Sequence, residues 1–235
     1  MASLGYRPHP VFGAGHLNAD LGTLFKHDVK LLKNFMSDFF YHPGVAMVLG
    51  SPRHDHAYAK GPWSLDEEHQ RELAKLLKAR HPDFRYFSRD YHDFLKRVNL
   101  ENIDRTDFGA EKYVALRARE VHDPEKARLE FRTIRPQKSI EDFIRIAELF
   151  EKRVEYLVKN PQIASKTFRP QKELQDVRIG LEQFRVYVQE SGLNPQDYSR
   201  FVAPEWTELW SHTLRAAAPS CRRVLGQAAR GGLDP

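Results

Sequence analysis

Two neighbouring segments in which apolar and charged residues alternate constrain the fold more than any other feature of this sequence. They are KYVALRARE at 112–120 and ARLEFRTI at 127–134, and the linking VHDPEK carries an Asp-Pro pair typical of a turn. Because successive side chains of a strand point to opposite faces, one face of the second segment is apolar and the other carries Arg128, Glu130 and Arg132. The pattern predicts an antiparallel hairpin with one face suited to a core.

The rest of the chain is dominated by helical periodicity. In order, we predict a strand at 14–21, a helix at 25–40, an apolar strand at 42–50, a helix beginning at Ser64, a short helix at 88–98, the hairpin, and helices beginning at Ser139 and covering 173–190. This order predicts an α+β fold in which an antiparallel sheet is covered by long helices, with a helical C-terminal extension. We expect an α+β domain at 1–160, the extension packed on it at 161–215, and a frayed tail at 216–235.

Two of the helix starts carry the pattern of a capping box, in which a serine is followed three residues later by an acidic residue. Ser64 is followed by Glu67, and Ser139 is followed by Asp142. The helix that begins at Ser139 has an apolar stripe that is predicted to face the core, formed by Phe143, Ile146, Ala147, Phe150, Val154 and Leu157.

Charge and cysteine usage limit the classes of function. The formal net charge of +5 favours anionic ligands such as nucleotides, but no run of five or six basic residues indicates nucleic acid. The one cysteine, Cys221, excludes an internal disulfide and a zinc site built from several cysteines. No apolar run is long enough to span a bilayer, and the start has no signal-peptide pattern. We therefore expect a cytoplasmic protein without a membrane partner.

The charged face of the hairpin is the first candidate site. Arg117 and Arg119 join Arg128 and Arg132, so four arginines surround Glu130. Such an excess of positive charge is relieved by phosphate, whose oxygens match the guanidinium fork, and a carboxylate among them can bind the accompanying metal ion. The alternative is a solvated face with weak ion pairs between strands.

Two further groups of residues contain possible metal ligands. In GAGHLNADL, the side chains of His16, Asn18 and Asp20 share one face of the predicted strand, and two glycines precede them. The loop SPRHDHAYAK offers His54 and His56, with Arg53 and Lys60 as possible phosphate contacts. Each pattern alone is more typical of a polar strand face or of a solvated loop.

Two of these motifs, in this order, are similar to those of a known superfamily. The GAGHLN strand, followed much later by KYVALRAR and ARLEFR, resembles the glutamine synthetase/glutamate–cysteine ligase superfamily, in particular its amidoligase branch, over about residues 12 to 157. The resemblance implies that His16 and Glu130 bind a nucleotide-associated Mg²⁺ and that Arg132 and Arg128 face the phosphate in catalysis. Arg117, Arg119 and Arg53 are the further candidates for binding the cofactor.

The resemblance implies ATP- and Mg²⁺-dependent ligation of a carboxylate to an amine through an acyl phosphate, with both substrates unidentified. In that family the sheet begins with an acidic E-x-E strand, whereas residues 1–15 contain no acidic residue. We therefore expect 1–160 to be a partial ligase-like domain. Three interpretations fit this: a fragment of such an enzyme, one half of a split enzyme completed by a second chain that supplies the missing strand, or a degenerate copy. Two alternatives remain open: a non-catalytic binding module or split-enzyme half, and a metal-dependent hydrolase or nuclease that uses the residues His16, Asp20, His54 and His56.

Overall fold

The computed structural model of the protein describes residues 17–50, 65–99, 115–121, 123, 126–165 and 176–217. Its strands are β1 (Leu17–Asp20), β2 (Leu116–Arg119) and β3 (Arg128–Phe131). Its α-helices are α1 (Leu21–Phe25), α2 (Val29–Tyr41), α3 (Pro43–Leu49), α4 (Glu67–Lys78), α5 (Phe84–Asn99), α6 (Ile140–Lys159), α7 (Val177–Glu190) and α8 (Thr207–Ala217). Short 3₁₀ helices cover Pro161–Ser165, Pro195–Phe201 and Pro204–Trp206. The fold is α+β, as the sequence predicts.

The three strands form one antiparallel sheet in the order β1-β3-β2. The hairpin predicted from the alternating segments is confirmed, since β2 and β3 pair with each other. β1 pairs with β3 on the side opposite to β2, so β3 is the central strand. The apolar face packs on the helices, where the ring of Phe131 stacks on Phe150 of α6 at 4.3 Å between centroids and meets Phe35 and Phe39 of α2 edge-on. This aromatic contact fixes β3 to the helical layer, so the charged face of the sheet points the other way.

The strand predicted at 42–50 is wrong, because these residues form helix α3. Pro43 occupies the first turn of the helix, where its missing N–H is tolerated, and every residue from Pro43 to Leu49 is buried. A short helix buried on all sides has the same continuous apolar pattern as a buried strand. Packing against α7 also requires a glycine at position 44, which the apolar pattern does not show. A Cβ at Gly44 would lie 2.1 Å from the carbonyl oxygen of Gly180 in α7. The two glycines let α3 and α7 approach closely.

The predicted helix starts are confirmed in one case and corrected in the other. Ser139 caps α6, and its side chain accepts a hydrogen bond from the backbone N–H of Asp142. The cap of α4 is Asp66, which accepts from the N–H of His69, while Ser64 lies outside the described residues. Aspartate is as good a cap as serine, and the acidic residues Glu67 and Glu68 then fall in the first turn of the helix.

The apolar stripe predicted for α6 faces the core at four of its six positions. Ile146, Phe150, Val154 and Leu157 are buried, whereas Ala147 is half-buried and Phe143 is 41% exposed. Phe143 lies one turn before Ile146. It shares an exposed apolar face of α6 with Ile140 and Ile144.

The C-terminal helices join the same core. One continuous cluster of buried apolar side chains extends from Leu17 of β1 to Trp210 of α8. Helix α7 begins at Val177, later than predicted, and of the predicted tail only residues 216 and 217 are described, as the end of α8. Among the helices of the described part, none is long and apolar enough to cross a membrane.

Candidate functional site: the charged face of the sheet

The pairing of the strands arranges the charged side chains in rows across the sheet. In one row, Glu130 of β3 lies between Asn18 of β1 and Arg117 of β2. In the next row, Arg128 lies between Asp20 and Arg119. We call the four arginines 117, 119, 128 and 132, together with Glu130, the arginine face. The sheet therefore brings together all of the hairpin residues that the sequence predicts for the site.

Glu130 is the centre of this face, and it is buried. Its side chain and that of Arg132 are 4% and 8% exposed, so this part of the face is not the solvated surface considered above. The same carboxylate oxygen, Oε2, lies 3.3 Å from Nη1 of Arg132 and 3.6 Å from Nη1 of Arg119. Two guanidiniums thus share one oxygen, and Nε of Arg132 is buried with no hydrogen-bond acceptor in the described part of the chain. A buried donor in this position is suited to an oxygen of a bound anion.

Arg128 belongs to a separate ion pair. Its Nη2 lies 2.8 Å from Oε1 of Glu120, and its Nη1 donates to the carbonyl of Lys126. Glu120 follows β2 directly and adopts a φ of 52°, an unusual backbone conformation for a residue with a side chain. The four arginines therefore face three carboxylates, those of Glu130, Glu120 and Asp20, which leaves an excess of one positive charge. Arg132 and Arg119 are better placed for a ligand beside Glu130 than Arg128 is.

Asp20 has a structural role in this arrangement. Its carboxylate accepts a hydrogen bond of 2.5 Å from the N–H of Thr23 and caps α1. This backbone hydrogen bond, with a smaller contribution from the charge of His27, holds the pKa of Asp20 below its ordinary value. The other candidates of the hydrolase hypothesis, His16, His54 and His56, lie outside the described residues, as does Arg53.

The described residues fit a phosphate group better than they fit a metal ion. Nowhere in the described ranges do three or more histidine, cysteine, aspartate or glutamate side chains come close enough to hold a metal. Glu130 has the oxygen ligands that Mg²⁺ prefers, but its near neighbours are guanidiniums. The arginines, by contrast, offer several directed donors to phosphate oxygens.

Sequence reasoning missed two features that shape this part of the molecule. Glu120, at the end of β2, forms an ion pair with Arg128. Arg153 lies on the buried stripe of α6, between Phe150 and Leu157, and forms a buried ion pair with Asp38 of α2. The sequence contains a signal for this pair, because a charged residue among the buried apolar residues of a helix requires a partner of opposite charge.

Comparison with known proteins found no match among protein-family models, curated proteins or solved structures.

Proposed function

We propose that this chain is an ATP- and Mg²⁺-dependent carboxylate–amine ligase of the amidoligase type, or the portion of such an enzyme that holds the nucleotide phosphates. One observation carries the proposal: a buried glutamate on the central strand shares one carboxylate oxygen between Arg132 and Arg119. The excess of arginines over carboxylates on this face is of the sign that phosphate oxygens offset, and guanidiniums can bind those oxygens bidentately. The resemblance of the GAGHLN and ARLEFR motifs to amidoligases supports the same assignment.

In the proposed reaction, a substrate carboxylate oxygen attacks the γ-phosphorus of ATP and ADP leaves. The nitrogen of an amine then attacks the acyl carbon, phosphate leaves, and the amine loses a proton to give the amide. Arg132 and Arg119 would hold phosphate oxygens during the first step and offset the negative charge on the transferred group. A bound Mg²⁺ would supply additional charge neutralisation.

The carboxylates of the described residues do not complete a site for that metal. Glu130 would be one ligand, and the others would come from residues outside the described part, with His16 as the candidate, or from a second chain that supplies an acidic strand. Such a chain would add to the outer side of β1, since β1 is an edge of the sheet and its other side pairs with β3. We also propose a cytoplasmic location and no nucleic-acid partner, on the composition of the chain.

Titration of ATP into the whole chain and into Arg132→Gln tests the phosphate role of the arginine face. We expect the variant to bind ATP at least about tenfold more weakly, the usual effect of losing a charge-assisted hydrogen bond to phosphate. Because Arg132 is buried, Arg119→Gln is the second variant: its side chain is 38% exposed, so the fold tolerates the change. Arg178→Gln, at a site on α7 that is 76% exposed, is the matched control and should leave the affinity unchanged.

A non-catalytic binding module is the competing assignment. In that case Glu130 and its two arginines serve only to balance charge within the sheet, and wild type and variants would all fail to bind ATP. The hydrolase hypothesis gains no support from the described residues, since Asp20 caps a helix.

A further inference from the structure

The ion pair between Glu120 and Arg128 occupies one arginine of the arginine face. Nη2 of Arg128 lies 2.8 Å from Oε1 of Glu120, and the two side chains are 31% and 34% exposed. Asp20, opposite Arg128 on β1, caps α1, so Glu120 is the carboxylate that pairs with Arg128. Arg128 lies two residues from Glu130 on the same face of β3, about 6.6 Å along the strand. Its guanidinium is therefore close to the proposed phosphate site and is bound by a carboxylate of its own chain.

Arg119 and Arg128 lie directly opposite each other where β2 pairs with β3. Like charges in this arrangement repel. Nη1 of Arg119 lies 3.6 Å from Oε2 of Glu130, whereas Arg128 contacts Glu120, so the two guanidiniums are attracted to different carboxylates. An anion bound between the two arginines would offset their repulsion and accept hydrogen bonds from both. The two arginines can thus form one phosphate site if Arg128 is released from Glu120.

The backbone of Glu120 adopts an unfavourable conformation. Its φ of 52° lies in the left-handed region, which few residues other than glycine, asparagine and aspartate adopt. Glu120 follows the last residue of β2, and its carbonyl accepts a hydrogen bond from the N–H of Asp123 over 3.0 Å. A part-exposed ion pair contributes little to stability and does not offset the cost of this backbone. A glutamate at this position is therefore not explained by the stability of the fold.

The exposure of the pair lets a ligand compete for Arg128. Both side chains are in contact with water, so their separation does not leave a buried charge without a partner. A phosphate group carries more negative charge than a carboxylate and offers more acceptor oxygens to the guanidinium. Arg132 differs from Arg128 in this respect, because it is 8% exposed and its contact with Glu130 is buried. Glu120 is thus easier for a phosphate to replace than Glu130.

We propose that Glu120 is an internal competitor of the phosphate ligand: it binds Arg128 in the nucleotide-free protein, and a nucleotide phosphate displaces it so that Arg128 joins Arg119 at the ligand. This inference rests on the proposed function, because it assigns a regulating residue to the same site. The competition favours polyphosphates over single carboxylates, since a carboxylate offers Arg128 no more than Glu120 does.

Titration of ATP into the whole protein and into Glu120→Gln tests the competition. Glutamine has the size of glutamate but no charge, so it holds Arg128 less strongly. We expect the variant to bind ATP about two- to fivefold more tightly, which corresponds to the usual strength of a part-exposed ion pair. Arg128→Gln should bind ATP more weakly than wild type, since it lacks one of the phosphate-binding guanidiniums.

The double variant Glu120→Gln/Arg128→Gln separates the competition from a general effect of charge. If Glu120 acts by binding Arg128, its substitution should change the ATP affinity little in the Arg128→Gln background. A gain of the same size in both backgrounds would overturn the proposal, because removal of a negative charge would then account for it. Asp123→Asn is the matched control, since it removes one negative charge, at a side chain that is 31% exposed, from the same hairpin. A gain in this control as large as in Glu120→Gln would contradict the proposal as well.

Glu120→Gly tests whether the residue serves the stability of the fold instead. Glycine adopts a positive φ without steric cost, so we expect the urea midpoint of this variant to be no lower than that of wild type while its ATP affinity rises. A lower midpoint without a change in ATP affinity would show a structural role and overturn the proposal. The two proposals fail in distinguishable ways: if neither wild type nor Glu120→Gln binds ATP, both fail, whereas equal ATP binding by the two proteins contradicts the competition alone.

Discussion

Arg153 of α6 and Asp38 of α2 form a bidentate ion pair, in which Nε and Nη2 each donate to a carboxylate oxygen over 2.7 Å, and neither side chain is exposed. The guanidinium also lies 4.2 Å from the ring centroid of Tyr187 and 4.6 Å from that of Tyr156. Burial lowers the pKa of Arg153, but the hydrogen bonds and charge of Asp38 outweigh it and hold the pKa above the ordinary value. The pair therefore joins α6, which packs on β3, to the neighbouring helix α2.

Removing either partner of this pair should strongly destabilise the protein. We expect Arg153→Met to lower the free energy of unfolding by about 3–5 kcal/mol, because it leaves the Asp38 carboxylate buried without its counter-charge. The double variant Arg153→Met/Asp38→Leu should lose less than the single one, since no fully buried charge is left unpaired. Glu190, which also accepts from Nη1 of Arg153, is 30% exposed and can be solvated. Urea denaturation of wild type, of Arg153→Met, of Asp38→Leu and of the double variant measures the difference, and a double variant that loses the sum of both single effects would contradict this account.

Asp20 should contribute to stability as a helix cap and not as a metal ligand. Asp20→Ala is expected to lower the free energy of unfolding by about 1 kcal/mol, whereas Asp20→Asn, which also caps but carries no charge, should lose less than Asp20→Ala at pH 7. Since the folded pKa of Asp20 is lowered, its charge stabilises the fold above the unfolded pKa, and that contribution is lost as the pH falls through the folded pKa. Thermal melts in acid should therefore show a smaller pH-dependent loss for Asp20→Asn than for wild type.

Lys33 should make stability depend on pH in the alkaline range. Its ammonium donates to the carbonyl of Ala79, at the end of α4, and lies 3.3 Å from Nδ1 of His81. Burial is the main cause of its lowered pKa. Between this folded pKa and the unfolded value of about 10.4, the unfolded chain binds more protons, so stability rises with pH.

The variant Lys33→Met isolates this effect, because methionine keeps the length of the side chain and does not titrate. We expect the urea midpoint of wild type to increase relative to that of the variant as the pH rises towards the unfolded pKa of Lys33, about 10.4. The quantity to follow is the difference in urea midpoint between wild type and Lys33→Met. Buried tyrosines such as Tyr91 also titrate at high pH, because burial raises the pKa of Tyr91, but they are present in both proteins and cancel in the difference. A constant or falling difference would contradict the account.

The sequence predicted those parts of the fold that depend on local periodicity. The alternation around Glu130 gave the hairpin, and Ser139 with Asp142 gave the start of α6. The strand predicted at 42–50 failed because a fully buried segment has no polar face from which its period can be read.

The candidate site was predictable in its residue types but not in its geometry. The alternating pattern predicts that Glu130 has arginine neighbours on its face of the strand. It does not predict that Glu130 is buried, because burial depends on long-range contacts. The preference of Arg128 for Glu120 depends on the backbone at Glu120, whose φ of 52° turns the chain after β2.

Titration of ATP into wild type and into Glu130→Gln, with and without Mg²⁺, tests the central claim most directly. The amide is the same size as the carboxylate and removes one negative charge from beside Arg132 and Arg119. If Glu130 is a ligand of the nucleotide-bound metal among phosphate-binding arginines, the variant should bind metal-free ATP more tightly and Mg²⁺-ATP about tenfold more weakly. Absence of ATP binding to wild type, or a variant that binds both forms more tightly, would contradict the proposed ligase site.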